Sequence, residues 1–265
     1  MSTNSSALIR HGPLFRNLLR REVRQRYKGS ALGLAWTLIT PAIMVGAYSL
    51  VFHYVWKVVN IPHYALFLFT GLTVWTLFLG GSQAAASSLV LNANLVKKVS
   101  FPREIVPLSS MAGQAFTAGT MLVIAVPLCV ALTGGSRMPL LALPPLLLLL
   151  VAFTAGFGLL LAALNVYFRD VEHILAALAL PWFFLTPIFY TFDTLPASQG
   201  NEWAVDVLRY GNPATPFVES IQDSLFFGEW PMASEVLYCV AAAAIMLAVG
   251  VLVFRRLERE MAVEL

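Results

Sequence analysis

Long apolar stretches separated by shorter polar segments make up most of this chain. A transmembrane helix needs about 20 apolar residues, and six stretches approach or exceed that length. Their interiors contain no Asp, Glu, Lys or Arg. We therefore predict an all-α membrane protein with six transmembrane helices. The predicted spans are residues 32–56, 64–91, 105–132, 140–167, 174–190 and 236–254.

The basic residues are concentrated in a few polar segments. Fourteen of the 17 Lys and Arg lie in residues 10–28, 97–103 and 255–259 or at Arg169, whereas residues 191–234 hold six acids and one base. Cytoplasmic loops of membrane proteins carry the excess of Lys and Arg. An even number of spans then places both termini and all the basic segments in the cytoplasm. Bases at a membrane edge meet anionic lipids or a protein partner, so we expect no nucleic-acid partner.

The composition supports a single membrane domain. The chain is 58% hydrophobic and 12% charged, whereas soluble domains contain about 25% charged residues. We divide it into residues 1–30, a cytoplasmic tail with an interface helix, and residues 31–265, the six-span transmembrane domain. Within the second unit, residues 191–234 form an extracytoplasmic gate region.

Residues 13–28 are amphipathic and are not predicted to span. Leu14, Leu18 and Val23 recur near helical spacing, while Arg20 and Arg24 belong to the other face. This pattern is typical of a helix lying in the membrane interface. Two interpretations remain open. The helix is solvated and only anchors the chain, or its basic residues form a collar at the membrane surface that also contacts a partner.

The fifth predicted span is short and contains Pro181 and Pro187, which kink or end helices. Residues 205–210 and 217–227 then resemble short amphipathic helices. They are too short and polar to span, so they are candidates for re-entrant helices that form an external gate. Irregular backbone at that depth must be buried in protein or line a cavity. A plain surface loop is the alternative.

Sequence motifs for catalysis are absent. There is no G-x-x-x-x-G-K-[ST] phosphate loop, no H-E-x-x-H and no Cys/His cluster with metal spacing. We therefore predict no catalytic residue, no metal and no cofactor in this chain. Ion-coupled transporters usually place ionisable groups at membrane depth. Their absence here indicates that the energy for any transport comes from another polypeptide.

Aromatic residues are abundant in the first, second and fifth spans. They either form an interfacial belt with lipid-facing packing or line a pore along which sugars slide by stacking. The candidates for a glycan channel are Trp36, Trp182, Phe183 and Phe184.

Four segments, in this order and spacing, resemble the membrane subunit of type 2 ABC exporters for cell-surface polysaccharides such as O-antigen, capsule and teichoic acid. They are LRREVRQRYKGSALGLAWTLITP at residues 19–41, NANLVKKVSFPREIVP at 92–107, NVYFRDVEHILAALALPWFFLTPIFY at 165–190 and NPATPFVESIQD at 212–223.

The resemblance implies a homodimeric permease in the bacterial inner membrane that exports lipid-linked polysaccharide, with O-antigen as the expected substrate. It also implies two copies of a separate ATPase that binds ATP and Mg. It implies that the segment between spans two and three docks into that ATPase as a coupling helix. Arg169 and Asp170 either pair locally or meet the ATPase. The basic collar would attract the pyrophosphate of a lipid-linked polysaccharide. The implied coupling residues are Asn94, Lys97, Lys98, Phe101, Pro102, Arg103, Glu104, Arg169 and Asp170, and the collar residues are Arg20, Arg21, Arg24, Arg26 and Lys28.

Two other classes remain open. A related exporter of a small amphipath, such as a lipid or drug, would need an apolar cleft in place of an aromatic channel. A membrane scaffold or glycolipid-processing enzyme would act without an ATPase, although the chain lacks a carboxylate pair or metal cluster for an enzyme.

Overall fold

The computed structural model describes residues 12–55, 61–98, 101–192, 202–258 and 260–261. Within these ranges every regular element is a helix. The helices are α1 (Gly12–Tyr27), α2 (Gly33–Val55), α3 (Tyr64–Leu91), α4 (Ala93–Lys98), α5 (Ile105–Leu132), α6 (Met138–Tyr167), α7 (Asp170–Leu185), α8 (Glu202–Gly211), α9 (Thr215–Gln222, continued by a π-helical turn over Asp223–Phe227) and α10 (Ala233–Leu257).

Five of these helices, α2, α3, α5, α6 and α10, are long and apolar enough to cross a membrane. They contain 23 to 30 residues, which corresponds to about 35–45 Å at 1.5 Å per residue. The hydrocarbon core of a bilayer is about 30 Å thick. The bounds of α3 and α5 are those predicted from the sequence, and the other three helices differ from the prediction only at their ends.

The predicted fifth span has a different form. The sequence predicts a span over residues 174–190, but α7 has 16 residues and ends at Leu185. That length corresponds to about 24 Å, so α7 is too short to count among the candidate spans. The helix begins early because Asp170 and Glu172 favour a helix N-terminus. It ends where Thr186, which precedes a proline, adopts an extended conformation with ψ 134°.

The two ends of the helix bundle carry different charges. At one end, α1, α4 and the neighbouring ends of α3, α5, α6 and α10 pack around a hydrophobic cluster that includes Leu18, Val96 and Phe254. We call this end of the bundle the basic end, because most of the described basic side chains lie there. They come from α1, α4, the segment after α4, the turn after α6 and the last turn of α10. The opposite end contains α8, α9 and the loop before α6. We call it the acidic end.

The main core is aromatic and lies between these ends. Phe67, Phe78, Phe153 and Phe217 are fully buried there, on α3, α6 and α9. Phe78 and Phe153 have ring centroids 5.6 Å apart, and Phe153 and Phe217 are 5.3 Å apart. Rings at these separations add to the free energy gained from their burial.

Helices α6 and α10 cross at a pair of glycines. A Cβ on Gly250 would collide with the carbonyl of Gly156, and a Cβ on Gly156 would collide with the backbone at Met246 and Leu247. Small residues allow helix backbones to approach this closely, which maximises van der Waals contact in lipid.

We predict that Gly250→Ala destabilises the protein, because neither backbone at this crossing can move away cheaply. The expected loss is about 1–3 kcal/mol in the free energy of unfolding. It is measured as a lower thermal unfolding temperature of the purified protein in detergent.

The matched control is Gly119→Ala in α5, since nothing lies within 4 Å of a Cβ added there. Equal unfolding temperatures for the two variants would contradict the close packing of α6 on α10.

Candidate functional site

Helix α1 lies with its apolar side against the basic end. Leu18 is buried, and Leu14 and Phe15 pack against the hydrophobic cluster of that end. Arg20 and Arg24 are exposed on the other side. The structure therefore has a helix at the predicted position, with one apolar and one basic side as the sequence predicts.

Two polar contacts hold α1 in this position. The Arg21 guanidinium donates to Oδ1 of Asn92. Ser110 Oγ donates to Oε1 of Glu22 at 3.2 Å. Asn92 is itself fixed, since its Nδ2 donates to the Ser88 carbonyl at 2.9 Å. The contacts tie α1 to the ends of both α3 and α5.

Four of the five predicted collar residues line one cavity, which we call the basic cavity. It has a volume of about 570 Å³ and is lined by Asn17, Arg20, Arg21, Arg24, Gln25 and Lys28. No acidic side chain contributes to this lining. Four cations around one concave surface create a positive potential that attracts an anion, and guanidinium groups match phosphate oxygens in geometry.

The fifth collar residue, Arg26, points elsewhere. It lies beside Gly113 on α5 and lines a separate cavity of about 290 Å³ that also includes Trp36, Thr40 and Gln114. The structure therefore does not bring Arg26 into the basic cavity.

The predicted coupling residues divide into an exposed group and a packed group. Asn94, Lys97 and Lys98 are exposed on α4, which buries Val96 beneath them. The exposed group thus forms a small basic surface supported by an apolar anchor.

The packed group follows α4. Phe101 packs against the hydrophobic cluster of the basic end, and Pro102 is half-buried beside it. The backbone N–H of Arg103 donates to Oε1 of Glu258 at 3.2 Å, and its guanidinium donates to the carbonyl of Glu258. Burial raises the pKa of Glu104, and the nearby positive charge of Arg255 opposes that rise. These contacts join the predicted coupling segment to the end of α10.

Arg169 and Asp170 both have exposed side chains, and no ion pair between them is found in the described structure. The buried residue at this turn is Asn165. Its Nδ2 donates to the Ala86 carbonyl at 3.1 Å, and its Oδ1 accepts from the Glu172 N–H at 3.3 Å. Asn165 thus fixes the start of α7, a role that the sequence analysis missed because its partners are distant in sequence or on the backbone.

The four predicted channel aromatics have different environments. Trp36 is 42% exposed and Phe184 is 43% exposed, so both present ring surface outside the single chain. Phe183 is only 5% exposed, because it stacks on Tyr48 with centroids 5.5 Å apart. Trp182 is half-buried. Phe183 therefore supports the aromatic core and presents little surface of its own.

Asn212 connects the end of α7 to the loop between α8 and α9. Trp182 Nε1 donates to Asn212 Oδ1 at 2.7 Å, and the Asn212 Nδ2 donates to Thr186 Oγ1 at 2.9 Å. The Ala214 N–H also donates to Asn212 Oδ1, at 3.1 Å. One buried amide therefore fixes the position where α7 ends relative to the start of α9.

The extended segment after α7 is held by further side-chain donors. Tyr64 donates to the Phe189 carbonyl at 2.7 Å, and Gln222 Nε2 lies 3.5 Å from the Ile188 carbonyl. Gly71 leaves room for this arrangement, since a Cβ there would lie 2.9 Å from the same Ile188 carbonyl. These contacts replace the helical hydrogen bonds that the backbone loses at the break.

At the acidic end, one arginine joins three helices. Arg209 on α8 makes two hydrogen bonds to Glu219 on α9, at 3.0 and 3.1 Å, and lies 3.9 Å from Glu235 on α10. Its guanidinium also lies 5.1 Å from the centre of the Phe192 ring. Burial alone would lower the pKa of Arg209, but its bonds and proximity to these acids outweigh burial and raise the pKa above its ordinary value.

Glu235 was missed by the sequence analysis. It is 1% exposed in the first turn of α10, just before the predicted sixth span. A buried carboxylate requires partners, and two other helices supply them: Ser220 Oγ on α9 donates to Glu235 at 3.4 Å, and the Arg209 guanidinium on α8 lies 3.9 Å away.

These features define a protein whose described residues form only helices as regular structure, with several helices fit to cross a membrane, a basic cavity at one end and short paired helices at the other. The chain belongs to the ABC-2 type transporter family, whose membrane-domain model matches residues 13–226. This confirms the family resemblance inferred from the four sequence segments.

Similar proteins include two described as O-antigen export system permease protein RfbA. The protein from Myxococcus xanthus is 29% identical over 96% of each chain, and the one from Klebsiella pneumoniae is 31% identical over 90% of this chain and 89% of its own length. The polysialic acid transport protein KpsM of Escherichia coli is 22% identical over 92% of this chain and 93% of its own.

We predict that Arg209→Met lowers the free energy of unfolding by about 3 kcal/mol, because it leaves the buried Glu235 without its cation. Thermal unfolding of the purified protein measures the loss. Adding Glu235→Gln should restore part of it by removing the unpaired charge.

Arg137→Met provides the control, since Arg137 is exposed in a loop of the same end. An unfolding temperature that falls equally in Arg137→Met and Arg209→Met would show that the ion-pair network does not stabilise the fold.

Proposed function

We propose that this chain is the channel-forming subunit of an ATP-driven transporter that exports lipid-linked polysaccharide, with O-antigen as the substrate. The observation that carries the proposal is the match to O-antigen export permeases over nearly the whole length of both chains. The basic cavity adds physical support, because a lipid-linked glycan presents a diphosphate at the membrane surface and the cavity is lined by four cations.

The proposed topology has six spans and both termini in the cytoplasm of a bacterial cell, within the inner membrane. In this arrangement α7 and the extended residues 186–190 together form the fifth span. The basic end then faces the cytoplasm, consistent with the excess of Lys and Arg in cytoplasmic segments. Helices α8 and α9, in the gate region of residues 191–234, form the extracytoplasmic gate. Residues 1–30 and 31–265 remain the two proposed units.

The proposed energy source is a separate ATPase. The sequence of this chain contains no phosphate-binding loop, so ATP and Mg would bind to the partner, with two copies of each subunit in the assembly. The surface of α4 formed by Asn94, Lys97 and Lys98 is the proposed docking site. The contacts of Arg103 and Glu104 near Glu258 would pass motion from α4 to α10.

The proposed channel lies between two copies of the chain. Trp36 and Phe184 have the exposed ring surface that such a channel wall needs. Trp182 and Phe183 would hold that wall in position through contacts inside the chain. Trp182 donates a hydrogen bond to Asn212, and Phe183 stacks on Tyr48. Directional movement requires that ATP change the relative free energy of two channel states. Because Asn212 links α7 to the gate helices, a shift of α7 would reach the acidic end.

The test uses cells that lack this chain and accumulate lipid-linked glycan inside. We predict that the wild-type gene restores surface polysaccharide, whereas Lys97→Glu with Lys98→Glu restores less than about a tenth of it. Reversing two charges at a docking surface costs several kcal/mol through repulsion. Surface glycan is measured on whole cells, and the ATPase that co-purifies with the chain is quantified in parallel.

Arg137→Glu serves as the charge-reversal control at the opposite end. Restoration by the Lys97/Lys98 variant with a full complement of ATPase would remove α4 as the docking site. Failure of the wild-type gene to change surface polysaccharide would contradict the proposed function itself.

A further inference from the structure

A second cavity adjoins the basic cavity and has a different chemistry. It has a volume of about 480 Å³ and lies between α1 and the neighbouring ends of α3 and α5. We call it the polar cavity. Its polar lining includes Glu22, Ser87, Ser88, Asn92 and Ser110, and Arg21 and Gln25 line both cavities.

The polar cavity suits a neutral ligand. Its formal charge is balanced, because Arg21 is opposed by Glu22, whereas the basic cavity has only cations. The electrostatic attraction of an anionic group would therefore be much weaker in the polar cavity than in the basic cavity.

Its side chains can both donate and accept hydrogen bonds. Ser87 and Ser88 donate to the carbonyls of Gln83 and Ala85, at 3.2 and 2.7 Å, which leaves their oxygens available as acceptors. The Gln25 amide is exposed and offers two N–H donors and a carbonyl oxygen. A ligand with several hydroxyl groups matches this mixed set, since each hydroxyl both donates and accepts.

The two cavities also have a fixed order in space. In a lipid-linked glycan the first sugar is bonded directly to the diphosphate, so a site for one must adjoin a site for the other. Arg21 and Gln25 lie at the boundary where that bond would pass. The volume of the polar cavity is within the range of about 300–1,000 Å³ for small-ligand sites.

We propose that the polar cavity binds the first sugar of a diphosphate-linked glycan while the basic cavity binds the diphosphate. This inference rests on the proposed function and adds to it a means of selection. A permease with the basic cavity alone would bind the empty lipid diphosphate carrier as well as the loaded one. The polar cavity allows the protein to prefer the carrier that bears sugar.

The experiment measures the dissociation constants of two probes for the full chain in nanodiscs of neutral phosphatidylcholine. The probes are polyprenyl diphosphate and polyprenyl diphosphate bearing one N-acetylglucosamine. The wild type should bind the sugar-bearing probe about tenfold more tightly, since the sugar adds two or three hydrogen bonds to those of the diphosphate. Equal affinity for the two probes would overturn the proposal.

Variants then separate the two cavities. Ser87→Leu fills the polar cavity and should reduce the ratio of the two affinities to about one, and Ser87→Ala should reduce it partly. Arg24→Glu should weaken the binding of both probes by a similar factor and leave the ratio of their affinities unchanged. Arg16→Glu, an exposed change on the same helix outside the cavity lining, and Ser136→Leu, in an exposed loop of the acidic end, are the controls.

The possible outcomes distinguish this inference from the proposed function. If neither probe binds, or Arg24→Glu has no effect on either, the proposed recognition of a lipid diphosphate fails. If both bind but Ser87→Leu keeps the wild-type ratio in a protein with normal thermal unfolding, the sugar site alone fails. Competition by a soluble nucleotide diphosphate sugar as strong as that of the lipid-linked probe would contradict a lipid-linked ligand.

Discussion

The structure depends on the need to satisfy backbone hydrogen bonds where water is excluded. In the long helices most N–H and C=O groups are paired within their own segment, which is the reason that helices suit a bilayer. The chain departs from this rule directly after α7. There the carbonyls of Leu185, Ile188 and Phe189 accept from Asn212, Gln222 and Tyr64, three side chains from other parts of the chain.

These hydrogen bonds connect the end of α7 to the gate region, on which the proposed export depends. Asn212 and Gln222 belong to the gate region, so α7 cannot end where it does unless that region is in place. Arg209 then links α8 to α9 and α10 through Glu219 and Glu235. At the basic end, Arg21 and Glu22 attach α1 to α3 and α5 in a similar way. Polar contacts at both ends thus position short elements on a bundle that apolar packing holds together.

Much of the helical architecture follows from the sequence, because hydrocarbon thickness sets a minimum apolar length. That constraint correctly gave the bounds of α3 and α5, and the periodicity of residues 13–28 gave α1. The sequence did not predict the end of α7, because Pro187 marks a break without showing which carbonyls find new donors. Nor did it separate Phe183 from Phe184: adjacent residues lie about 100° apart on a helix, and α7 is apolar on most sides.

The candidate site was predictable only in part. Charge patterning grouped five basic residues of α1, and four of them, Arg20, Arg21, Arg24 and Lys28, line the basic cavity, whereas Arg26 lines a different cavity beside α5. Asn212 was expected to fix a break in the helices, because Asn212-Pro213 is part of the family-like sequence, but its partners on α7 were not predictable. Glu235 and Asn165 carried no signal of their roles, because each owes its importance to partners that only the folded chain brings near. The polar cavity was not predictable from the sequence either, since its serines on α3 and α5 resemble ordinary small packing residues.

The most direct test of the central claim is transport by the purified permease–ATPase complex in inside-out proteoliposomes that carry lipid-linked glycan on the outer surface. A glycan-cleaving enzyme added outside measures how much glycan remains accessible. The account predicts that ATP makes the glycan progressively resistant to cleavage and that a non-hydrolysable ATP analogue does not. Glycan that stays fully accessible in the presence of ATP, or that becomes protected without it, would contradict the account.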